Sequence, residues 1–418
     1  MRVESLELRV KSTAVVGGGA AGFFLAVNLK EMMPEMEVTI FESGQRVLRK
    51  VEVSGGGRCN CTNSFRGVSD LSQVYPRGHR LLKRLFHVFD YRDAFEWFER
   101  HGVPLVVQDD ECVFPRAQDS HAIIDCFLSL ARRYGVKIVT GRRIASLDEL
   151  AEYEYEVVTT GGLPHTGGQT HAERAGTGPA PTMRWQVAAG HEIVEPVPSL
   201  FSFTVADDEL RALQGLVVED STVFLPGTKL RAEGPLLITH WGLSGPAILK
   251  LSSYAARHLA DCGYRSPLAI NWLSKSEADV RTLLVETSAR QPQKMLTTYN
   301  PFGLPQRLWT LLVPQPPKEG GVGLRWGELG KKDMNRLVNA LTNYSCQIEG
   351  RAPFKDEFVT CGGVSLSSVN PITLESRSVP HLFFAGEVLD IDGITGGFNF
   401  QAAWTTAYTV AKGITALP

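Results

Sequence analysis

The chain has 418 residues, 43% hydrophobic and 21% charged, with a formal net charge of -2. That length exceeds one simple core and implies two or three domains, and the near-neutral balance excludes a global footprint for nucleic acid or an anionic membrane. The seven cysteines, at 59, 61, 112, 126, 262, 346 and 361, form no CxxC pair, which argues against a disulfide framework and for a reducing cytoplasm. Cys59 and Cys61 are too closely spaced for a zinc knuckle, so no metal is expected. Met1 to Lys11 lacks an apolar signal core and no apolar run is long enough to span a bilayer, so the expectation is a cytoplasmic protein without membrane contact.

In chain order, the first element is a strand at Ala14-Val15-Val16, followed by Gly17-Gly18-Gly19-Ala20-Ala21-Gly22 and a helical pattern from Phe23 to Lys30. Gly17 permits the tight turn, Gly19 lets backbone approach a pyrophosphate, and Gly22 lets the helix pack closely on a sheet. The helix N-terminus then offers unpaired amides and the positive end of its dipole to phosphate. A second strand, Val38 to Phe41, ends at Glu42, placed to accept from a ribose hydroxyl about 20 residues after the glycines. Together these features predict a bound dinucleotide. A glycine-rich turn in another kind of α/β protein leaves Glu42 unexplained.

Arg49 and Lys50 precede Ser54-Gly55-Gly56-Gly57-Arg58-Cys59-Asn60-Cys61-Thr62-Asn63. The glycines expose amides, Arg58 supplies a fork of donors for phosphate, and Asn60 and Asn63 carry amides able to address a heterocycle edge. The plainer reading is a turn rich in Gly and Asn. Spacing predicts a helix over Ser120–Tyr134, a strand over Val136–Thr140 and a long surface loop from Gly161 to Gly190. From Pro196 short strands follow at Leu200–Val205, Leu216–Val218, Ser221–Leu225, Lys229–Arg231, Pro235–Thr239 and Leu268–Trp272. Ser276 to Asn343 is mostly helical, interrupted at Pro314 to Pro317, and Phe354 to Leu366 returns to strands. The chain closes with an apolar strand ending in Gly386-Glu387 and a glycine pair, Gly396-Gly397, that opens a helix reaching about Lys412. This layout suits a flavin: Glu387 can accept from a ribityl hydroxyl, and amides from Gly397 to Asn399 can face the pyrimidine oxygen.

These motifs, taken in order, resemble the BaiN-like, aminoacetone-oxidase-type family of FAD-binding flavoproteins. The resemblance rests on Gly17 to Gly22, Ser54 to Asn63, Phe114 to Arg116, Thr239 to Pro246 and Ala385 to Ala402. The sequence departs from the family pattern between Ile144 and Gly161, where a short acidic segment replaces a longer run of strands, though Thr160 and Gly161 still fit the turn. The resemblance implies noncovalent FAD and an oxidoreductase activity. It places the cofactor contacts at Gly17, Gly19, Ala20, Ala21, Gly22, Glu42, Ser43, Lys50, Ser54, Gly55, Gly56, Gly57, Arg58, Asn60, Ile144, Thr160, Gly161, Gly386, Glu387, Gly396, Gly397, Phe398, Asn399 and Gln401.

The expected fold is α/β: a discontinuous Rossmann-like FAD-binding domain (1–192 and 346–418) with an inserted β-barrel-like subdomain (193–275) and a helical one (276–345), together forming a cap. Substrate is expected at the junction, because small-molecule sites are concave and favour domain boundaries. The candidate catalytic residue is His240, in the turn after Leu237-Ile238-Thr239, where an imidazole beside Trp241 and Ser244 can move a proton near neutral pH. A histidine at a strand end also serves as a structural hydrogen-bond partner. The expected function is flavin-dependent redox chemistry on a small organic molecule, as an amine oxidase or as a reductase of an activated double bond. No second GxGxxG follows Gly161, so no permanent NAD(P)H domain is expected, and the electrons come either from the substrate itself or from NAD(P)H as a transient donor.

A second class, a flavin-binding protein that serves RNA, has its support in Arg77, His79, Arg80, Lys83, Arg84 and His87. Asp90, Asp93 and Glu96 follow that run at once, which favours a solvated face, so no nucleic-acid partner is expected. Oligomeric state is left open.

Overall fold

The computed structural model describes residues 11–162, 189–314, 323–352 and 359–417. Most of the 161–190 loop and the stretch from Met1 to Val10 lie outside the described residues. The chain forms two compact units, one made of residues 1–198 and 354–418 and the other of residues 199–353.

In the first unit β1 (Ser12–Val16) leads through α1 (Ala20–Met32) to β2 (Glu37–Phe41). α2 (Arg49–Gly57), β3 (Thr62–Asn63), α3 (His79–Leu85) and α4 (Tyr91–Arg100) follow. β4 (Leu105–Val107), β5 (Cys112–Pro115), α5 (His121–Tyr134), β6 (Lys137–Val139), β7 (Tyr155–Val158) and β8 (Ile193–Ser199) come next, and after the second unit the chain returns as β15 (Val359–Val364), β16 (Leu382–Phe384) and a C-terminal helix, Phe398–Thr415. Strands β16, β7, β1, β2 and β6 pair side by side in that order, all parallel. β1, β7 and β16 are mostly apolar and buried, as a sheet covered on both faces requires. The chain runs outward from β1 through β2 to β6 and then crosses to the other side at β7. The space between the ends of β1 and β7 is therefore the topological switch point, where open α/β sheets hold ligands.

One aromatic cluster fixes the helices on this unit. Phe24 on α1 lies 4.6 Å from Trp97, 5.1 Å from Trp404 and 6.3 Å from Phe127, between ring centroids, tying α1 to α4, α5 and the C-terminal helix. These rings are essentially removed from water, and each contributes on the order of 2 to 3 kcal/mol of burial. The indole N–H groups still find acceptors: Trp404 donates to the Cys61 carbonyl at 2.7 Å and Trp97 to Asn28 Oδ1 at 3.1 Å. The requirement for such partners explains a buried asparagine on an apolar helix.

The second unit is built on a closed barrel of β9 (Phe203–Val205), β10 (Val217–Phe224), β11 (Arg231–Ile238), β12 (Gly242–Ser244), β13 (Ser266–Asn271) and β14 (Tyr344–Arg351). Two pairs of short strands expected from the sequence are each one longer strand. Val217–Phe224 is continuous through an irregularity between Val218 and Ser221, and Arg231–Ile238 runs through Gly234-Pro235 without a turn. A bulge absorbs the extra residues that the sequence pattern presents as a break. β14 pairs with both β13 and β9, so residues 346–351 belong to the barrel and not to the first unit, and Ile193–Pro198 groups with the first unit, where β8 lies beside β15. Helices Asp208–Arg211, Pro246–Tyr254, Ala256–Asp261, Glu277–Arg290, Gln306–Leu312 and Lys331–Thr342 also belong to the second unit.

Cys59 and Cys61 are buried, and burial pushes the Cys59 thiol up to about 12, whereas Cys262 is exposed. A thiolate-specific disulfide reagent at pH 8 should therefore modify Cys262 in the native protein and reach Cys59 and Cys61 only after unfolding. Rapid native labelling of the Cys59–Cys61 loop contradicts this packing.

Candidate functional site

Most of the residues singled out in the sequence converge at the carboxyl ends of the parallel strands. Gly17 follows β1, Glu42 follows β2, Thr159 to Gly161 follow β7, and Ala385 to Glu387 follow β16. Two glycines are demanded by the protein's own packing: a Cβ on Gly17 (φ 120°) would lie 2.4 Å from the Thr159 carbonyl oxygen, and one on Gly22 would lie 2.1 Å from the Gly17 carbonyl oxygen. Gly19 differs. A Cβ there would meet nothing within 4 Å, so this glycine faces open space at the N-terminus of α1.

Glu42 is held in place beside that turn. Its Oε2 accepts from the Gly18 amide at 2.9 Å and its Oε1 from the Gly44 amide at 2.7 Å, with Ser43 Oγ at 3.3 Å. A carboxylate has about four acceptor sites, so capacity remains for ribose hydroxyls. Glu387 is built similarly. Its Oε1 accepts from the Thr360 amide at 2.8 Å, and its Oε2 pairs with Lys50 at 2.6 Å. A Cβ on Gly161 (φ 73°) would lie 3.8 Å from Oε2 of the same carboxylate, and Gly386 packs on Ala21 in the first turn of α1.

The glycine-rich segment at the end of α2 is held by the protein's own groups. The helix breaks at Ser54 (ψ 150°), and Gly55, Gly56 and Gly57 follow with positive φ. Arg58 lies 4.3 Å from the centre of the Phe114 ring and donates to Gln118 Oε1 at 3.2 Å. With its amide turned to the orientation that satisfies both ends, Asn60 donates to the Thr62 carbonyl at 2.9 Å and accepts from the Gly397 amide at 3.2 Å, and Asn63 donates to the Gly396 carbonyl at 2.9 Å. Each asparagine amide thus bonds to the glycine pair, Asn60 through its oxygen and Asn63 through its nitrogen. Gln401 is fully buried, accepting from Thr62 Oγ1 at 2.6 Å and donating to Thr405 Oγ1 at 3.1 Å. Asn399 closes its own loop on Gly393, and Phe398 is buried with its carbonyl accepting from Tyr75 at 2.8 Å. Ile144 sits in an apolar cluster with Ala14, Val16 and Leu150 beneath the sheet.

Three residues that tie this region together went unread in the sequence. Thr159, not Thr160, bonds to the glycine turn, with Oγ1 donating to the Gly17 carbonyl at 2.8 Å. Tyr75 anchors Phe398. Arg77, counted in the sequence as part of a basic run, makes a two-pronged ion pair with Asp392, which is wholly buried. Burial works against the Arg77 charge, and the Asp392 carboxylate outweighs it, so its pKa is raised. The adjoining Gly78 packs on Ile391, and Ile394 donates to the Val74 carbonyl. Segment 74–78 thereby clamps the loop 390–397.

In the second unit His240 is exposed in the tight turn between β11 and β12, closed by Thr239 N to the Gly242 carbonyl at 2.8 Å. Its ring stands edge-on to Trp241 at 4.3 Å, while the Ser244 hydroxyl bonds to Ser202 at 2.6 Å.

The model of the HI0933-like protein Rossmann domain family matches residues 11–413. The chain belongs to that family. It is accordingly an FAD-dependent oxidoreductase. A ribosomal RNA dihydrouridine synthase of Escherichia coli (strain K12) is 30% identical over 426 residues, covering 96% of this chain and 97% of that protein. One of the same description from Haemophilus influenzae is 27% identical over 420 residues, with 96% and 97% covered. A 3-dehydro-bile acid delta(4,6)-reductase of Clostridium scindens is 26% identical over 412 residues, with 95% and 97% covered. No helix among the described residues is long and apolar enough to cross a membrane, and no cluster of metal-binding side chains occurs among them.

Replacing Asp392 by Ala leaves Arg77 buried without its counter-charge. The expected loss is about 3 to 5 kcal/mol, read from urea unfolding. The double replacement Arg77→Met with Asp392→Leu should restore much of it, because apolar side chains carry no uncompensated charge.

Proposed function

We propose that this protein binds FAD noncovalently and reduces a carbon–carbon double bond conjugated to a carbonyl. One observation carries the reaction: a dihydrouridine synthase and a delta(4,6)-reductase, two relatives aligned over nearly the whole chain, are both named for adding hydrogen across a carbon–carbon double bond. That agreement favours the reductive direction over amine oxidation.

The residues present fit the cofactor. The open face of Gly19 at the start of α1 leaves room for backbone amides to meet a pyrophosphate. Glu42 would take the ribose hydroxyls of the adenosine half, and Glu387, held by Lys50 and Thr360, a ribityl hydroxyl. Gly396 to Phe398, clamped by Asn60, Asn63 and Tyr75, would present the start of the C-terminal helix to the pyrimidine edge. When bound, FAD would in its reduced form supply the hydride that such a double bond takes up at the carbon β to its carbonyl. The protein must then deliver a proton to the α-carbon, and His240 is our candidate donor because its imidazole is exposed in a turn beside Trp241. The electrons come from NAD(P)H visiting transiently, since the sequence has no second GxGxxG to hold it.

Gly19→Val should leave the fold intact and abolish FAD retention, measured as cofactor released by acid from the purified protein. Gly22→Ala should instead lower stability, because its methyl has no room. Anaerobically reduced protein mixed with cyclic enones and with uridine should be reoxidised by at least one conjugated substrate, with the saturated product found by mass spectrometry. Reoxidation by none of them, alongside rapid reduction by simple amines, overturns the reductive reading. With a confirmed substrate, His240→Gln should slow this half-reaction about a hundredfold while FAD stays bound; an unchanged rate removes His240 from the chemistry.

A further inference from the structure

Loop 390–397 is closed at one end and open at the other. Ile391 to Ile394 are buried, whereas Thr395, Gly396 and Gly397 are half-exposed and lead into the C-terminal helix. The open end is secured by neutral groups. Tyr75 donates to the Phe398 carbonyl at 2.8 Å, Asn63 to the Gly396 carbonyl at 2.9 Å, and Ile394 to the Val74 carbonyl at 2.9 Å. Asn399 closes on Gly393 in both directions, accepting from its amide at 2.8 Å and donating to its carbonyl at 3.0 Å. A Cβ on Gly393 would lie 2.9 Å from that of Phe398, so Asp392 stands one residue from backbone that is packed on the first turn of this helix.

Into the buried end the chain puts charge, which holding the loop does not require. Asp392 is wholly buried and meets the guanidinium of Arg77, itself only 13% exposed, in the two-pronged pair described above. The backbones of the two residues face each other in an antiparallel bridge. A buried pair of this kind contributes little net stability relative to apolar side chains of similar volume. In a protein interior, however, a charge acts strongly on what surrounds it. The half-exposed Asp390 also acts on Arg77, as does the buried Cys361 on β15. The loop thus carries two acids, and Arg77 is set against both.

We propose that Arg77 sets the reduction potential of the flavin, by keeping the acidic loop 390–397 near neutral where the reduced ring gathers negative charge. The inference rests on the FAD reading above, which presents Gly396 to Phe398 to the pyrimidine edge, and it is independent of the substrate reduced. Negative charge on that ring is favoured by the positive end of a helix and opposed by an unbalanced carboxylate. Arg77 acts through Asp392 and is a positioning residue.

The test is the midpoint potential of the FAD-loaded protein, measured at pH 8 by equilibration with reference dyes. Asp392→Asn keeps the shape of the side chain and leaves the Arg77 charge unbalanced, so the potential should rise. Arg77→Gln leaves the acids unbalanced, so it should fall. Each shift should reach about 30 mV, which is tenfold in the equilibrium of a two-electron couple. Arg77→Lys keeps the charge and loses the fork, so its potential should stay near the parent value even if FAD binds more weakly. The double variant Arg77→Gln with Asp392→Asn should lie between the two single ones. Shifts of one sign, or none, in protein that still holds FAD overturn the inference, because a clamp that only shapes the loop does not respond to the sign of the charge. Should Arg77→Gln fail to fold, Asp392→Asn and Arg77→Lys decide: a rise in the first without one in the second supports the role, and any other pattern overturns it. Failure of the FAD reading shows separately, as a parent protein that retains no FAD at all.

Discussion

Where β1 turns into α1, three stretches of backbone meet with no room for a side chain between them. The Gly17 carbonyl lies against Gly22, and the Thr159 backbone lies against Gly17. Thr159 Oγ1 bonds to the carbonyl of Gly17 and thereby fixes the end of β7 to the end of β1. Everything that approaches the carboxyl edge of the sheet does so relative to this contact. Glu42 is aligned by the Gly18 amide, and Gly386 packs on Ala21 in the first turn of the same helix. A methyl group at Gly22 would push the helix off the sheet and shift all of these groups together.

The glycines and acids at strand ends were legible because their chemistry depends on local geometry: a turn, a helix start, a carboxylate at the end of a strand. Helices α1 and α5 and the helix Phe398–Thr415 were legible from apolar spacing to within a few residues. The roles of Asn60, Asn63 and Gln401 were not. In sequence they are free amide groups, and only the fold shows that Gly396, Gly397, Thr62 and Thr405 use them. Arg77 is the sharper case, since a cation among cations gives no sign of a buried aspartate 315 positions away. The barrel strands were half legible: a bulge and a Gly-Pro step have the composition of turns, and only closure of the barrel shows that the strands continue.

The candidate site also divides its work by charge. Buried or half-buried carboxylates, Glu42, Glu387 and Asp392, each have a fixed donor, whereas among the described residues the cations exposed on α3, Arg80, Lys83 and Arg84, are in no ion pair. Pairing fixes geometry, which suits groups that position a cofactor.

The clamp between segment 74–78 and loop 390–397 has a consequence for how the protein is made. Thr62 waits for Gln401, the Cys61 carbonyl for Trp404, and Arg77 for Asp392, across 339, 343 and 315 positions. On the ribosome the first third of the chain emerges with its sheet lacking β16 and its aromatic cluster lacking Trp404. The second unit, contiguous from 199 to 353, has all its strands before the first unit has its last. Domains fold as units during synthesis and distant contacts form late. The order of maturation is therefore inverted relative to the order of translation: the inserted barrel is complete first, and the nucleotide-binding unit that began the chain closes only when its final helix is released.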